Sequence, residues 1–332
     1  MNSKGLTKLP YDDRDFSHHE HFGTLGAAQL PTYDFTLYDS FRYAIQVGDT
    51  MSALSVRFCV PMQKLCELNG IPDPDRISAG SVITVPALTP SILNQVALDF
   101  CTAYTTAEIQ SLIFGMPFDP LWQMAKIKEI IGSYQDYGAS LRDAAQSVIT
   151  YGSLPVVLAP FAYTGSETDK PRDFLANWEN YPSNMDSFGR KYRDLSFFAV
   201  DGPYDSFDNV RSTLLMHQQY RQAVTFGLEW HPEWTEAPGG VIPEIMPASQ
   251  GEGHDMMIVG QKTIGGNLHL VLQQSWGPNA GDGGFYYFPR TVINQCSTQG
   301  YGSYIFSRFN RSGITGSGFL SSFIGMLTAF FK

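Results

Sequence analysis

The chain has 332 residues, long enough for one large domain or two smaller ones with an ample core. With 43% hydrophobic and 16% charged residues it reads as globular rather than disordered. A net charge of −10 with no clustered basic patch argues against nucleic acid as a partner. The 31 Gly, 17 Tyr and 23 Phe suit a loop-rich protein with substantial β-structure. The opening "MNSKGLTKLPYDDRD" has no apolar core segment, so the expected route is synthesis in the cytoplasm without Sec export. No run reaches the roughly 20 apolar residues of a spanning helix. The four cysteines at 59, 66, 101 and 296 are widely spaced, and reduced thiols are expected.

Residues 11–23 form a polar arm whose "SHHEH" brings together His18, His19 and His21. With no cysteine nearby it is read as an exposed loop rather than a metal site. Residues 43–86 follow with a distinct rhythm, "YAIQVGDTMSALSVRFCVPMQKLCELNGIPDPDRISAGSVITVP". A short strand over 43–47 reaches Gly48-Asp49-Thr50, where Asp49 or Thr50 can cap a helix carrying Leu54 and Phe58 on its apolar stripe. A second helix after Pro61 places Leu65 and Leu68 on one face and stops at Asn69-Gly70. "SVITVP" closes the β-α-α-β unit, in which Cys59 and Cys66 are expected to serve as small apolar side chains. The unit resembles a LysM domain through its "VGDT" entry, "LNGI" helix exit and "I-x-x-G-x-V-I-x-V-P" close. That resemblance implies binding of N-acetylglucosamine-containing glycans, chiefly peptidoglycan or chitin. The groove it implies involves Gly48, Asp49 and Thr50 on one side and Asn69, Ile71 and Ile77 on the other. A module used only for docking to protein is the alternative.

Beyond the unit, "SILNQVALDFCTAYTTAEIQSLIFG" sets Cys101 at or near the start of a helix with Leu112 and Ile113 on its apolar face. Free N–H groups and the positive end of the dipole there favour a thiolate. A buried structural cysteine is the alternative. Gln95 stands six residues upstream, and Cys-x-Ala-aromatic follows. Later, "GHDMMIVG", "LVLQQSWG" and "GDGGFYYF" place a histidine and an amide on neighbouring apolar runs. Together these stretches resemble the papain-like cysteine peptidases, in a form similar to the bacterial branch. "YGASLRDAAQSVITYGSLP" (137–155) and the arm at 11–23 extend the likeness.

The resemblance implies Cys101 as nucleophile, His254 as base, Gln274 as the orienting amide and Gln95 as an oxyanion donor. Trp276 is implied to shield the His254–Gln274 hydrogen bond from water. It implies an α+β, two-lobed domain with a helical and a β-rich half, spanning an arm at 1–42 and a body at 88–314. The LysM-like module (43–87) is inserted between them. Three departures bear on chemistry. Gln274 is one methylene longer than the usual Asn; Asp99-Phe100 replaces the usual Gly-Ser, so that Phe100 can close the approach to the thiol and Asp99 can raise its pKa by repulsion; and the extra upstream Cys of the family is missing, which matters little in a reducing compartment. His231, His217 and His269 are read as core or cleft wall, and "GDGG" (281–284) as a turn.

Residues 315–332, "TGSGFLSSFIGMLTAFFK", form an apolar tail too short to span a bilayer. It is expected to dock on the domain, on a partner subunit (including a second copy of the chain) or on a membrane surface, with docking on protein favoured. No cofactor or metal is expected. The expected activity is a cell-wall-directed cysteine peptidase or amide hydrolase, with peptidoglycan and a peptide substrate as partners, carried by a phage tail or injection particle. A catalytically silent papain-like protein of a phage tail or baseplate is the alternative.

Overall fold

The computed structural model describes residues 6–8, 15–26, 29–96, 98–133, 138–159, 185–194, 196–203 and 205–307. The expected docking tail at 315–332 and residues 11–14 of the arm lie outside them. Helix α1 (His18–Phe22) starts where the Ser17 hydroxyl accepts the Glu20 N–H. The arm is not the exposed loop expected, because Phe22 packs edge-on against Phe198 and draws its neighbour inward. His18 is 1% exposed, and its Nε2 lies 3.0 Å from Nε2 of His217. Among the described residues no cluster of three or more His, Cys, Asp or Glu could hold a metal.

After β1 (Phe35–Thr36), the β-α-α-β unit comprises β2 (Phe41–Ala44), α2 (Met51–Phe58), α3 (Met62–Leu68) and β3 (Val82–Val85). Thr50 is the cap of α2, accepting the Ala53 N–H at 3.2 Å. The first strand begins at Phe41 rather than at 43, because Phe41 pairs with Val85 and Ala44 with Val82. Tyr43, Leu54, Phe58, Leu65, Ile83 and Val85 form its separate core. On α3 the inward partner of Leu65 is Cys66, whereas Leu68 is 51% exposed.

Cys59 is half-buried and joins the module to the body, its thiol donating to the Ile113 carbonyl at 3.3 Å. The buried Arg221 holds both stems of the module, donating to the carbonyls of Leu37 and Pro86 at 2.6 Å each.

The helical half holds α4 (Cys101–Phe114), α5 (Pro120–Ile131) and α6 (Leu141–Thr150). Asp119 caps α5 with proline in its first turn, and Ser140 with Asp143 forms a capping box on α6. Leu98, Phe100, Tyr104, Trp122 and Leu154 fill this half. Helix α7 (Ser206–His217) packs on the other half, a seven-stranded antiparallel sheet.

The sheet's further strands are β4 (Ser196–Ala199), β5 (Val224–Trp230), β6 (Glu252–Ile264), β7 (Asn267–Gln273), β8 (Phe285–Pro289) and β9 (Ser303–Ser307). Their order is β4-β9-β5-β6-β7-β8, with β1 extending the β5 side of β6. A bulge between Ile258 and Gly260 lets β6 carry both pairings, and a Cβ at Gly260 would collide with the Phe35 carbonyl. The long α4 lies against β6, with Thr105 Oγ1 donating to the Asp255 carbonyl at 3.0 Å. This packing sets the two halves face to face at the head of α4.

Candidate active site

Cys101 is the first residue of α4, and the N-cap Phe100 makes no side-chain capping bond. Phe100 is fully buried and belongs to the core of the helical half with Leu98 and Tyr104. The sheet supplies the opposite wall. His254 pairs across to Leu228 on β5, and the next residue, Asp255, directs its backbone N–H to the Cys101 thiol. The Trp276 ring stacks on His254 with centroids 4.6 Å apart at 24°, and Trp230 meets both rings edge-on. The Trp276 ring thus covers one face of the His254 imidazole.

Gln95 is brought to the same place by the strand end. Its N–H donates to the Ser275 carbonyl at 2.8 Å, and the Ser275 hydroxyl donates to Gln95 Oε1 at 2.6 Å. Gly277 N–H donates to the Leu93 carbonyl at 2.8 Å. Residues 93–95 and 275–277 are thereby laced together, which holds Gln274 next to Gln95 in the fold. In this state Gln95 Nε2 donates to the Leu98 carbonyl at 2.8 Å.

Burial dominates the electrostatics. Cys101, His254 and Gln274 are 0% exposed and Gln95 is 2% exposed. Neither ring nitrogen of His254 and neither amide atom of Gln274 has a hydrogen-bond partner among the described residues. The orienting bond expected between them is therefore not made, as the extra methylene of Gln274 allows. Desolvation pushes the His254 imidazole down to about 3. Burial pushes the Cys101 thiol well above its ordinary value, with the Asp255 and Asp99 carboxyls adding to it. The N–H groups of Asp255 and Thr102 pull the other way and lose. Both shifts oppose the thiolate expected at the helix start, because a half-charge at a helix terminus cannot repay full removal from water.

Residues 6–8, for which the sequence gives no local signal, cover the junction. Leu6 forms a parallel bridge with Ala139 in the helical half, and Thr7 N–H donates to the Ala139 carbonyl at 2.9 Å. Lys8 pairs with Glu229 at 2.9 Å and sits 5.0 Å from the Tyr301 ring in the sheet half. His231 meets Trp234 edge-on at 4.7 Å with Nδ1 3.3 Å from the Ser249 hydroxyl, a core position. His269 Nδ1 faces the Asn267 carbonyl at 3.0 Å.

In the module, Asp49 and Asn69 spend their polar atoms internally. Asp49 accepts from Tyr43 Oη and the Gln46 N–H and pairs with Arg57. Asn69 donates to the Leu65 and Thr84 carbonyls and accepts the Thr84 N–H. Gly48 and Thr50 are exposed, and Ile77 is half-buried. An open depression of about 640 Å³ is lined by Met62, Cys66, Gly70, Ile71 and Pro74, and not by Gly48, Asp49 or Thr50. Among the described residues no helix is long and apolar enough to cross a membrane.

Comparison with known proteins agrees with this architecture. The LysM domain is matched at residues 43–86. The structure is similar to xylellain, a cysteine protease from Xylella fastidiosa, with TM-score 0.58 and 14% identity over 93% of this chain and 98% of that one. It is also similar to proCathepsin B S9 from Trypanosoma congolense, with TM-score 0.52 and 12% identity over 92% of this chain and 87% of that one. No curated protein sequence matches. The chain therefore has the α+β papain-like fold, with a LysM domain at residues 43–86 set between its arm and its central helix.

Proposed function

We propose that the protein is a cysteine peptidase or related amide hydrolase, directed by its LysM domain to peptidoglycan or another N-acetylglucosamine glycan. The observation that carries this reading is the placement of Cys101 at the head of α4, against the strand holding His254, with Gln95 and Gln274 drawn together through Ser275. In the reaction His254 takes the Cys101 proton, and the thiolate attacks an amide carbonyl to form a C–S bond. The Cys101 backbone N–H and Gln95 Nε2 hold the oxyanion, each such donor contributing roughly 3–4 kcal/mol. His254 passes its proton to the leaving amine as the C–N bond breaks, and water then hydrolyses the thioester.

Two local rearrangements precede chemistry in this scheme. Gln95 Nε2 leaves the Leu98 carbonyl, and residues 6–8 leave the junction so that the imidazole and thiol regain solvent or substrate contact. Bringing His254 from about 3 to near 7 requires about 5 kcal/mol of restored solvation or ion pairing. In the module, a glycan would meet backbone groups of residues 48–50 and 69–77 and the side chains of Ile71 and Ile77, since Asp49 and Asn69 are engaged elsewhere. A phage tail or injection particle would bring such a pair of domains to a wall. Detection of the chain in purified particles tests that setting, and binding to purified sacculi tests the LysM reading.

The second reading, a catalytically silent structural protein of a tail or baseplate, is favoured by the same unpaired His254 and Gln274. A limiting iodoacetamide pulse from pH 5 to 9 separates the two. It is applied to the native protein and to a Leu6→Asp variant that unseats residues 6–8. Labelling of Cys101 below pH 7 in the variant, lost on adding His254→Ala, is expected. A Cys101 that stays inert, or titrates near 8.5 as a free thiol does, leaves the silent reading standing.

A further inference from the structure

A buried acid lies on α4 about two turns beyond Cys101. Glu108 is roughly 10 Å further along the helix axis than the thiol-bearing residue. With Ser111, Leu112 and the C-cap Gly115 it forms one stripe of the helix, and all four line a cavity of about 210 Å³. The facing wall comes from the stems of the LysM domain, with Tyr38 before it and Leu88, Thr89 and Ser91 after it. The Leu88 N–H donates to the Tyr38 carbonyl at 2.8 Å, which clips the two stems together. Gly115 lets the module come this near, since its φ is 66° and a Cβ there would lie 2.5 Å from Cys59 Cβ. The cavity therefore exists because a domain has been inserted against the helix that begins at Cys101.

Several polar groups of the lining are already engaged. Tyr38 Oη donates to Gln273 Oε1 at 2.5 Å, Gln273 Nε2 donates to the Ser91 carbonyl at 3.0 Å, and Ser111 Oγ donates to the Ala107 carbonyl at 2.6 Å. Glu108 differs from them. It is 1% exposed, and its Oε1 accepts the Leu93 N–H at 2.7 Å. Its Oε2 is buried and has no hydrogen-bond partner of ordinary geometry among the described residues. Burial raises the pKa of this carboxyl well above its ordinary value, the Gln273 amide lends partial support, and the charge acting on it is that of Asp255, another acid. A buried polar atom left in this state is costly and calls for an explanation. Glu108 is the only acid among the described lining residues, too few hard donors for a calcium site. Leu88, Leu112 and Met116 make the wall apolar, while Thr89 and Ser91 are exposed at the mouth. A carboxyl at the floor of such an opening complements a run of methylenes ending in an N–H head.

We propose that this cavity is a binding site for a primary alkylammonium group of the lysine type, with the ammonium on the Glu108 carboxylate and the methylenes along Leu88 and Leu112. The site stands whether or not Cys101 is reactive. An ammonium placed there favours the ionised carboxyl and so opposes the effect of burial on Glu108. Because one wall belongs to the LysM stems and the other to α4, an occupant touches both the inserted domain and the helix that begins at Cys101.

The test uses the full chain and needs no catalysis. Binding of n-butylammonium and of n-butanol is followed by ligand-detected NMR at constant ionic strength, with hydrogen exchange at residues 88–93 to locate the site. Butylammonium is expected to bind at least tenfold more tightly than butanol and to slow exchange in that stretch. Glu108→Gln should raise its Kd at least tenfold. Thr89→Trp, which fills the exposed mouth, should do the same and serves in place of Glu108→Gln should that variant not fold. A butylammonium Kd that neither variant changes reports binding to the acidic surface only and overturns the proposal, as does a butanol affinity equal to that of butylammonium. Free L-lysine and Nα-acetyl-L-lysine methylamide then separate the two sources of such a group. Tighter binding of the free form assigns the site to an amino acid, and the reverse assigns it to a peptide side chain. Binding of neither overturns the proposal.

Discussion

The pair His18–His217 ties the arm to α7, and acid should untie it. His217 is fully buried against α1, with Nε2 3.0 Å from His18 Nε2 and Nδ1 2.5 Å from Gln222 Oε1. Desolvation lowers its pKa to about 4, with the Gln222 contact only partly offsetting this. His18 is lowered well below its ordinary value by burial and by its histidine neighbours. A depressed histidine is neutral when folded and protonated when unfolded over the interval between its two pKa values. Its stabilising share is therefore complete above about pH 6.5 and is lost as pH falls toward 4. From pH 7 to 5, linkage with about 4 folded and about 6.5 unfolded gives a loss of about 2 kcal/mol for His217 alone.

His254 adds to this trend, while burial raises the pKa values of Asp255 and Glu108, which acts in the opposite direction. The total pH profile of one protein would blur these terms. A difference between two proteins does not, because the distant groups cancel. The assay is urea unfolding of the wild type and of His217→Gln at pH 7 and pH 5. The variant should be less stable at pH 7, yet lose about 2 kcal/mol less than the wild type on going to pH 5. Equal losses in the two proteins would refute the account of a buried neutral pair.

Other consequences are more local. Thr50→Ala removes the cap on α2 and should cost roughly 1 kcal/mol in thermal or urea unfolding of the module. A cost indistinguishable from zero would show that the helix is held by packing alone. Arg221→Met removes the guanidinium that donates to the Leu37 and Pro86 carbonyls, a loss of roughly 3 kcal/mol for two charge-assisted bonds. Hydrogen exchange should then quicken at both stems of the LysM domain, and unchanged exchange there counts against the clamp. Under native conditions near pH 8, alkylation should reach the half-buried Cys59 before Cys101, Cys66 or Cys296. Peptide mapping that finds Cys101 modified first would contradict the closed, desolvated site.

The LysM domain was legible almost entirely from residues close in sequence. Thr50 caps a helix, Asn69-Gly70 ends one, and an apolar strand resumes at Val82, each signal acting within a few positions of itself. The head of α4 at Cys101 and the apolar runs carrying His254 and Gln274 were legible for the same reason. Nothing local says which of Leu68 and Cys66 faces inward on a seven-residue helix, since either completes a stripe with Leu65. Nor does it say that Arg221, far from the module, holds both of its stems.

The protonation state of the site depended wholly on tertiary structure. A helix start argued for a thiolate, but desolvation is set by everything packed around an atom, and Cys101 is fully buried where the two halves meet. The same holds for Asp255, which in sequence is merely the residue after a histidine. Cross-strand register puts it opposite Gly227 and beside Thr225, whose hydroxyl it accepts. Sequence by itself determined the elements and the order of the reactive residues, because caps, turns and alternation act over a few bonds. Charge, access and selectivity were decided by the fold, because they depend on which distant groups displace water from a given atom.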